Sequence, residues 1–189
     1  MILRSLASHA NREAALVLAE SEFGGLDLAG RSVRDDLSGV AWDRSLGIVG
    51  ADGRCRGFIL AANLEMPGYP TARSALSGLP DGEMRGIMEL RGIRGDALVI
   101  RPEAKALGLS MLRRFLSSTC SGYDYAWGTA HADLGNEGFW SRHAVVMAHG
   151  NDGEIVFAVP LNTRARAVLA GAAATLAGMR EECVPAPGR

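Results

Sequence analysis

Hydrophobic and polar positions change period several times along this chain, and each change marks an element. Met1 to Leu6 can start a strand. Ala15, Leu16, Leu18, Ala19 and Phe23 recur at helical spacing and predict a helix from Ala10 to Phe23, stopped by Gly24-Gly25. Ser32 to Leu37 reads as a short second helix capped by Ser32. Leu46–Val49 and Gly57–Ala62 are apolar runs of strand length, and Asp52-Gly53 between them signals a hairpin. From Glu65 to Arg85 the prolines and glycines 67, 68, 70, 78, 80 and 82 predict a long loop. A strand region from about Met88 to Arg101, interrupted by Gly92 and Gly95, ends at Pro102. Ala104 to Ser117 predicts a helix with Leu109, Leu112 and Leu116 on its apolar face and Arg113-Arg114 opposite. Tyr123–Ala130, Ala144–Ala148 and Glu154–Leu161 read as strands, with a short helix over Leu134–His143. Thr163 to Arg180 closes the pattern as a helix capped by Asn162 or Thr163.

This order is that of a mixed α/β (α+β) fold, with antiparallel hairpins first and a helical crossover in the middle. No internal repeat or linker marks a second domain. The predicted division is a core over 1–160, a packed helix over 161–183 and a flexible tail over 184–189. With 189 residues the chain is long enough to bury a core. Hydrophobic residues make up 48% and charged residues 22%, the balance of a soluble globular protein. A net charge of −1 lacks the basic footprint of a nucleic-acid binder. The start has no apolar signal region, and the longest apolar run, Ala165–Met179, is short for a membrane span. Cys55, Cys120 and Cys183 form no CxxC pair, so they suggest neither a zinc knuckle nor a thioredoxin-like site, and their sparse, odd number fits a reducing cytoplasm. The four histidines show no metal-ligand spacing.

The segment Leu98-Val99-Ile100-Arg101-Pro102 leads a strand into a turn, and Lys105-Ala106-Leu107-Gly108-Leu109-Ser110 opens a helix. Unpaired N–H groups and a positive dipole end make such a helix start a place for a phosphate. Ala106, Gly108 and Ser110 are small enough for close approach, and Lys105 adds positive charge. GxxxxGK[ST] does not occur, so this is not a Walker-type site, and the absence of GxGxxG argues against a Rossmann site.

The same segment resembles the cofactor motif of the GNAT superfamily of N-acyltransferases: a strand, often valine–x–proline, then Gln/Arg–x–x–Gly–x–Gly/Ala. Lys105 stands for the Arg or Gln, Gly108 matches, and Ser110 stands for the last small residue. A second similarity lies in Asp133-Leu-Gly-Asn136-Glu-Gly-Phe139-Trp140, where Phe139-Trp140 occupies the family's aromatic–Tyr position. The resemblance covers residues 1 to about 160. It implies a mostly antiparallel sheet with splayed fourth and fifth strands, flanked by helices, with the helix from Thr163 as an addition. It implies acetyl-CoA as cofactor, held by Leu98, Val99 and Ile100, by the amides from Lys105 to Ser110, and by Asn136 and Trp140. It further implies direct attack of an amine on the thioester.

An attacking amine must lose a proton, and the departing thiolate must gain one. Glu89 and His131 are candidate bases, with Glu83 and Asp96 behind them. Tyr125, with Tyr123, is a candidate acid, because Trp140 replaces the family's tyrosine and an indole N–H is too weak. The Ile100 amide is a candidate oxyanion donor. Tyr69, Arg73 and Arg85, in the segment between the third and fourth strands, are candidate contacts to a small-molecule or peptide amine. The expected protein is a cytoplasmic monomer or homodimer that needs no metal, nucleic acid or membrane. A non-catalytic acyl-CoA-binding or regulatory module with the same fold is the alternative reading.

Overall fold

The structure, a computed structural model, describes residues 1–23, 39–131, 140, 142–149 and 154–183. In chain order the elements are β1 (Ile2–Ser5), α1 (His9–Phe23), β2 (Leu46–Val49), β3 (Cys55–Ala62), α2 (Pro70–Leu76), α3 (Asp81–Met88) and β4 (Gly92–Ile100). They continue with α4 (Lys105–Thr119), β5 (Tyr125–His131), β6 (Val145–His149), β7 (Glu154–Pro160) and α5 (Thr163–Cys183). The chain divides into two compact units, Met1–Asn63 with Gly95–Thr119, and Leu64–Arg94 with Cys120–Arg189.

In the first unit β1 pairs antiparallel with β2, and β2 with β3. The Gly95–Ile100 half of β4 follows β3 in the strand order. All four residues of β2 are buried, so its apolar run serves both faces of the sheet. The β2–β3 turn closes on Gly53, whose φ of 76° is left-handed backbone that glycine adopts at little cost. α1 lays Ala15, Leu18 and Ala19 on Leu6, Phe58 and Leu60. Ser45 is fully buried, yet satisfied: its hydroxyl donates to the Ala41 carbonyl at 2.9 Å and accepts the Ala61 N–H at 3.0 Å.

In the second unit β4 pairs parallel with β5 at Gly92–Tyr125, Ile93–Ala126 and Arg94–Trp127. β5 pairs antiparallel with β7, and β7 with β6. α5 presents Ala165, Leu169, Ala172 and Leu176, one helical stripe, to a core that also holds Tyr125, Trp127, Met147, Val156 and Ile87. Asn162 caps α5 by accepting the Ala165 N–H at 2.8 Å.

Three expectations are corrected. The stretch 65–85 is not a loop: it contains a 3-10 turn at Met66–Gly68, then α2 and α3. Its prolines start helices, Pro70 in the first turn of α2 and Pro80 as the cap of α3, where a missing N–H costs nothing. β4 begins at Gly92, because Met88 still belongs to α3. The buried face of α4 is Gly108, Met111, Phe115 and Thr119, while Leu109 is exposed. The predicted Ser32–Leu37 helix, most of the Leu134–His143 helix and the 184–189 tail lie outside the described residues.

Candidate functional site

The strand-to-helix passage after β4 belongs to the first unit. A 3-10 turn at Pro102–Ala104 precedes α4, so the helix is entered in two stages. The Arg101 N–H donates to the Arg56 carbonyl at 2.8 Å. The Arg101 guanidinium donates to Ser21 Oγ at 2.9 Å and pairs with Glu22 of α1 at 2.7 Å. On the far side of Pro102, Glu103 pairs with Arg56 of β3 at 3.4 Å, and Arg56 also holds Asp52 at 2.6 Å. The backbone on both sides of the proline is therefore tied to α1 and β3.

The first amides of this turn are partly spent. Ala104 donates to the Arg101 carbonyl, and Lys105 to that of Pro102. Leu109 and Ser110 lie beyond the first turn of α4, where i→i−4 bonding takes up the N–H groups. The Gly108 N–H likewise faces the Ala104 carbonyl one turn back, so the amides of Ala106 and Leu107 are the ones in position for an anion. Lys105 and Ala106 are exposed, Lys105 makes no ion pair among the described residues, and α4 has no acidic residue in its first turn. That donor set fits a pyrophosphate. Leu98 and Leu109, exposed at 43% and 47%, add apolar surface on β4 and α4. Val99 packs on the first unit's core. Gly108 is buried, and a Cβ there would stand 2.6 Å from Ile100 Cδ1. Its small size therefore admits Ile100 and lets α4 lie close to β4.

Of the remaining candidates Asp96 belongs to the first unit and the others to the second. Tyr125 is fully buried, and its Oη accepts the Met66 N–H at 3.1 Å. Burial pushes its pKa up to about 12. The proposed proton donor is thus a buried post under the 3-10 turn. Glu89 caps the C-terminus of α3 and pairs with Arg164 at 2.9 Å, both side chains being more than half exposed. His131 ends β5, in register with Glu154 of β7. Asn136 lies outside the described residues. Trp140 is buried and stacked on Phe157, with centroids 3.9 Å apart and planes at 13°.

Tyr69 stands at the N-terminus of α2, half-buried, with the Arg94 guanidinium 4.1 Å above its ring. The same guanidinium lies 5.4 Å from the Trp127 ring, and Tyr69 meets Trp127 at 5.6 Å. Trp127 is fixed by its indole N–H, which donates to the Leu64 carbonyl at 2.7 Å. Arg73 is exposed on α2 and donates to the Pro67 carbonyl at 3.0 Å; Arg85 is exposed in the last turn of α3. Sequence reasoning found Tyr69 but missed Arg94 and Trp127. Their signal was a register in which Arg94 faces Trp127 across a parallel pair, readable only once β4 starts at Gly92.

Asp124 was also missed. Its carboxylate accepts the Arg91 N–H at 2.8 Å and the Asn162 side-chain amide at 2.7 Å. The Arg91 N–H foremost, with Asn162 after it, holds its pKa below the usual carboxylate value. No group of metal-ligating side chains occurs among the described residues. Nor is any described helix long and apolar enough to cross a membrane. Cys55 is buried, its thiol donating to the Gly57 carbonyl, and burial raises its pKa; Cys120 is exposed.

Solved structures similar in fold include acetyltransferases of the GNAT family. FeeM, an N-acyl amino acid synthase from uncultured soil microbes, superposes with a TM-score of 0.55 at 14% identity, over 86% of this chain and 92% of that one. Arylalkylamine N-acetyltransferase 2 from Aedes aegypti gives 0.53 at 10% identity, over 85% and 99%. A GNAT-family acetyltransferase from Staphylococcus aureus Mu50 gives 0.51 at 9% identity, over 85% and 99%. The chain has the GNAT fold, a mixed α/β sheet with flanking helices. No protein-family model matches the sequence, and no curated protein does.

Proposed function

We propose that this chain is an N-acyltransferase that moves an acetyl or short acyl group from acetyl-CoA directly to a primary amine. The observation that carries the reading is the Ile100-to-Gly108 passage: a tied-down proline turn opening into α4, whose first turn holds exposed Lys105 and no acid, on a GNAT fold. Ala106, Leu107 and Lys105 would hold the pyrophosphate, Gly108 would let the helix start lie close to β4, and Leu98, Val99 and Ile100 would flank the pantetheine arm. Coenzyme A supplies the activated thioester. The chain's own residues have to bind it, orient the amine and move a proton.

Tyr125 is sealed in the core and Glu89 is engaged by Arg164, which leaves His131 as the proposed base. Tyr69, stacked with Arg94, is the proposed acceptor contact, with Arg73 and Arg85 on the neighbouring helices. FeeM is named as an N-acyl amino acid synthase and the Aedes aegypti enzyme as an arylalkylamine N-acetyltransferase, so the acceptor panel should contain amino acids and arylalkylamines. The test is thiol release from acetyl-CoA with that panel, beside a thermal-shift assay with coenzyme A. Release that depends on an amine and on His131 supports the reading. A second reading, a non-catalytic acyl-CoA-binding module, is favoured by Trp140: the residue in the acid's place is stacked on Phe157. A thermal shift without release under any amine selects it, and neither effect rejects both.

A further inference from the structure

Arg142 and Arg166 line one cavity of about 220 Å3 in the second unit, with His143 beside them and Val145, Val159 and Pro160 as apolar walls. The lining comes from the helical turn at 142–143, the adjacent ends of β6 and β7, and the first turn of α5. Both arginines are exposed, and neither makes an ion pair among the described residues. Among the described residues no carboxylate lines the cavity. The contrast within α5 is informative: Arg164 is met by Glu89 at 2.9 Å, whereas Arg166, two residues on, faces the cavity.

Two guanidinium groups sharing one concavity repel each other, and a cation in the first turn of a helix opposes the helix dipole. Water screens most of that repulsion, and an anion entering the concavity removes the rest. Each guanidinium can then donate charge-assisted hydrogen bonds from a planar fork that matches a carboxylate or phosphate. The apolar walls and the volume limit the guest to a small molecule. We propose that this cavity binds a small oxyanion, a phosphate or carboxylate group on a short body. Arg166 stands in α5, beyond both sequence motifs that resemble the acyltransferases.

The test is a titration of the whole protein with inorganic phosphate and, in a second arm, acetate. Ionic strength is held constant with chloride, and the arginine side-chain Nε–H resonances are followed. The Arg142 and Arg166 signals shift together and saturate in about the millimolar range. Arg142→Gln or Arg166→Gln weakens the midpoint about tenfold or more, and the double variant no longer saturates. Arg164→Gln, whose partner is Glu89, binds as the wild type does. Saturation by phosphate alone identifies a phosphate guest, and by acetate alone a carboxylate. Linear, unsaturated shifts in both arms of the wild type overturn the proposal, as does saturation in a double variant whose thermal midpoint shows it folded. Arg142→Lys and Arg166→Lys keep the charge but lose the fork. Binding as tight as the wild type in both would overturn bidentate recognition.

Discussion

The Tyr125 hydroxyl accepts the Met66 N–H, and Gly92 lies against the same ring, where a Cβ would come within 2.5 Å of Tyr125 Cζ. Tyr125→Phe leaves a buried N–H without its acceptor and should cost about 1–3 kcal/mol in a denaturant titration. The pH dependence has a definite sign. The folded pKa, about 12, is raised above the unfolded value of 10.0, so the contribution is complete below pH 10.0 and fades as pH rises toward 12. The wild type should therefore lose stability more steeply than Tyr125→Phe over that window. Gly92→Ala should cost about 1–3 kcal/mol by overpacking, since an aromatic ring cannot yield as a flexible side-chain end does. Trp140→Phe keeps the stack on Phe157; under the proposed function its kcat should stay close to that of the wild type. A large loss of kcat would mean that the indole N–H takes part in the reaction. From the sequence, Tyr123 and Tyr125 were equivalent candidates. Alternation along a strand gives the two faces but not what covers each, and Met66, which covers Tyr125, is 59 residues away.

Elements with one dominant signal were legible: the α1 stripe, the Asp52-Gly53 hairpin and the strand ending at Pro102. The region 65–85 was not, because its prolines and glycines read as loop punctuation. The same letters contain helix starts, Pro70 ahead of Ala72 and Leu76, and Pro80 ahead of Asp81 and Glu83, where acids suit the positive end of α3. The cofactor turn was legible as strand, proline and helix, but the purpose of Gly108 was not. Gly108→Ala tests that purpose. Alanine gains about 1 kcal/mol of helix propensity, and only the mobile end of Ile100 must shift, so stability should change by less than about 1 kcal/mol. Coenzyme A affinity by calorimetry should then persist. Lost affinity at unchanged stability would show that the backbone must touch the ligand there. Arg101→Ala removes the half-exposed pair with Glu22, worth about 0–1 kcal/mol, so the thermal midpoint should hardly move. If the clamp orders the turn, KM for acetyl-CoA rises several-fold while kcat holds, and an unchanged KM would remove the clamp from cofactor binding.

Each unit has a core of its own: Leu6, Phe58 and Leu60 under α1 in one, and Trp127, Met147, Val156 and Leu169 under α5 in the other. Sequence reading set the helix from Thr163 apart from the common core, since neither acyltransferase motif reaches it. Its Leu169 and Leu176 are nonetheless buried with Trp127 and Tyr125. Asp124 joins its cap to the start of β5 through Asn162 and the Arg91 N–H. Because the Asp124 pKa is lowered in the fold, its contribution is present above the unfolded value and lost as pH falls through the folded one. Asp124→Ala should lower the thermal midpoint at neutral pH and flatten its acid limb, and an unchanged acid limb would contradict this.

The order of synthesis follows from the same division. The first unit is complete once Thr119 has left the ribosome. The second, whose core is closed by α5, must wait with Trp127 and Val156 uncovered until that helix emerges. A nascent chain arrested just after β7 should thus carry one protease-resistant half and one half that chaperones still hold.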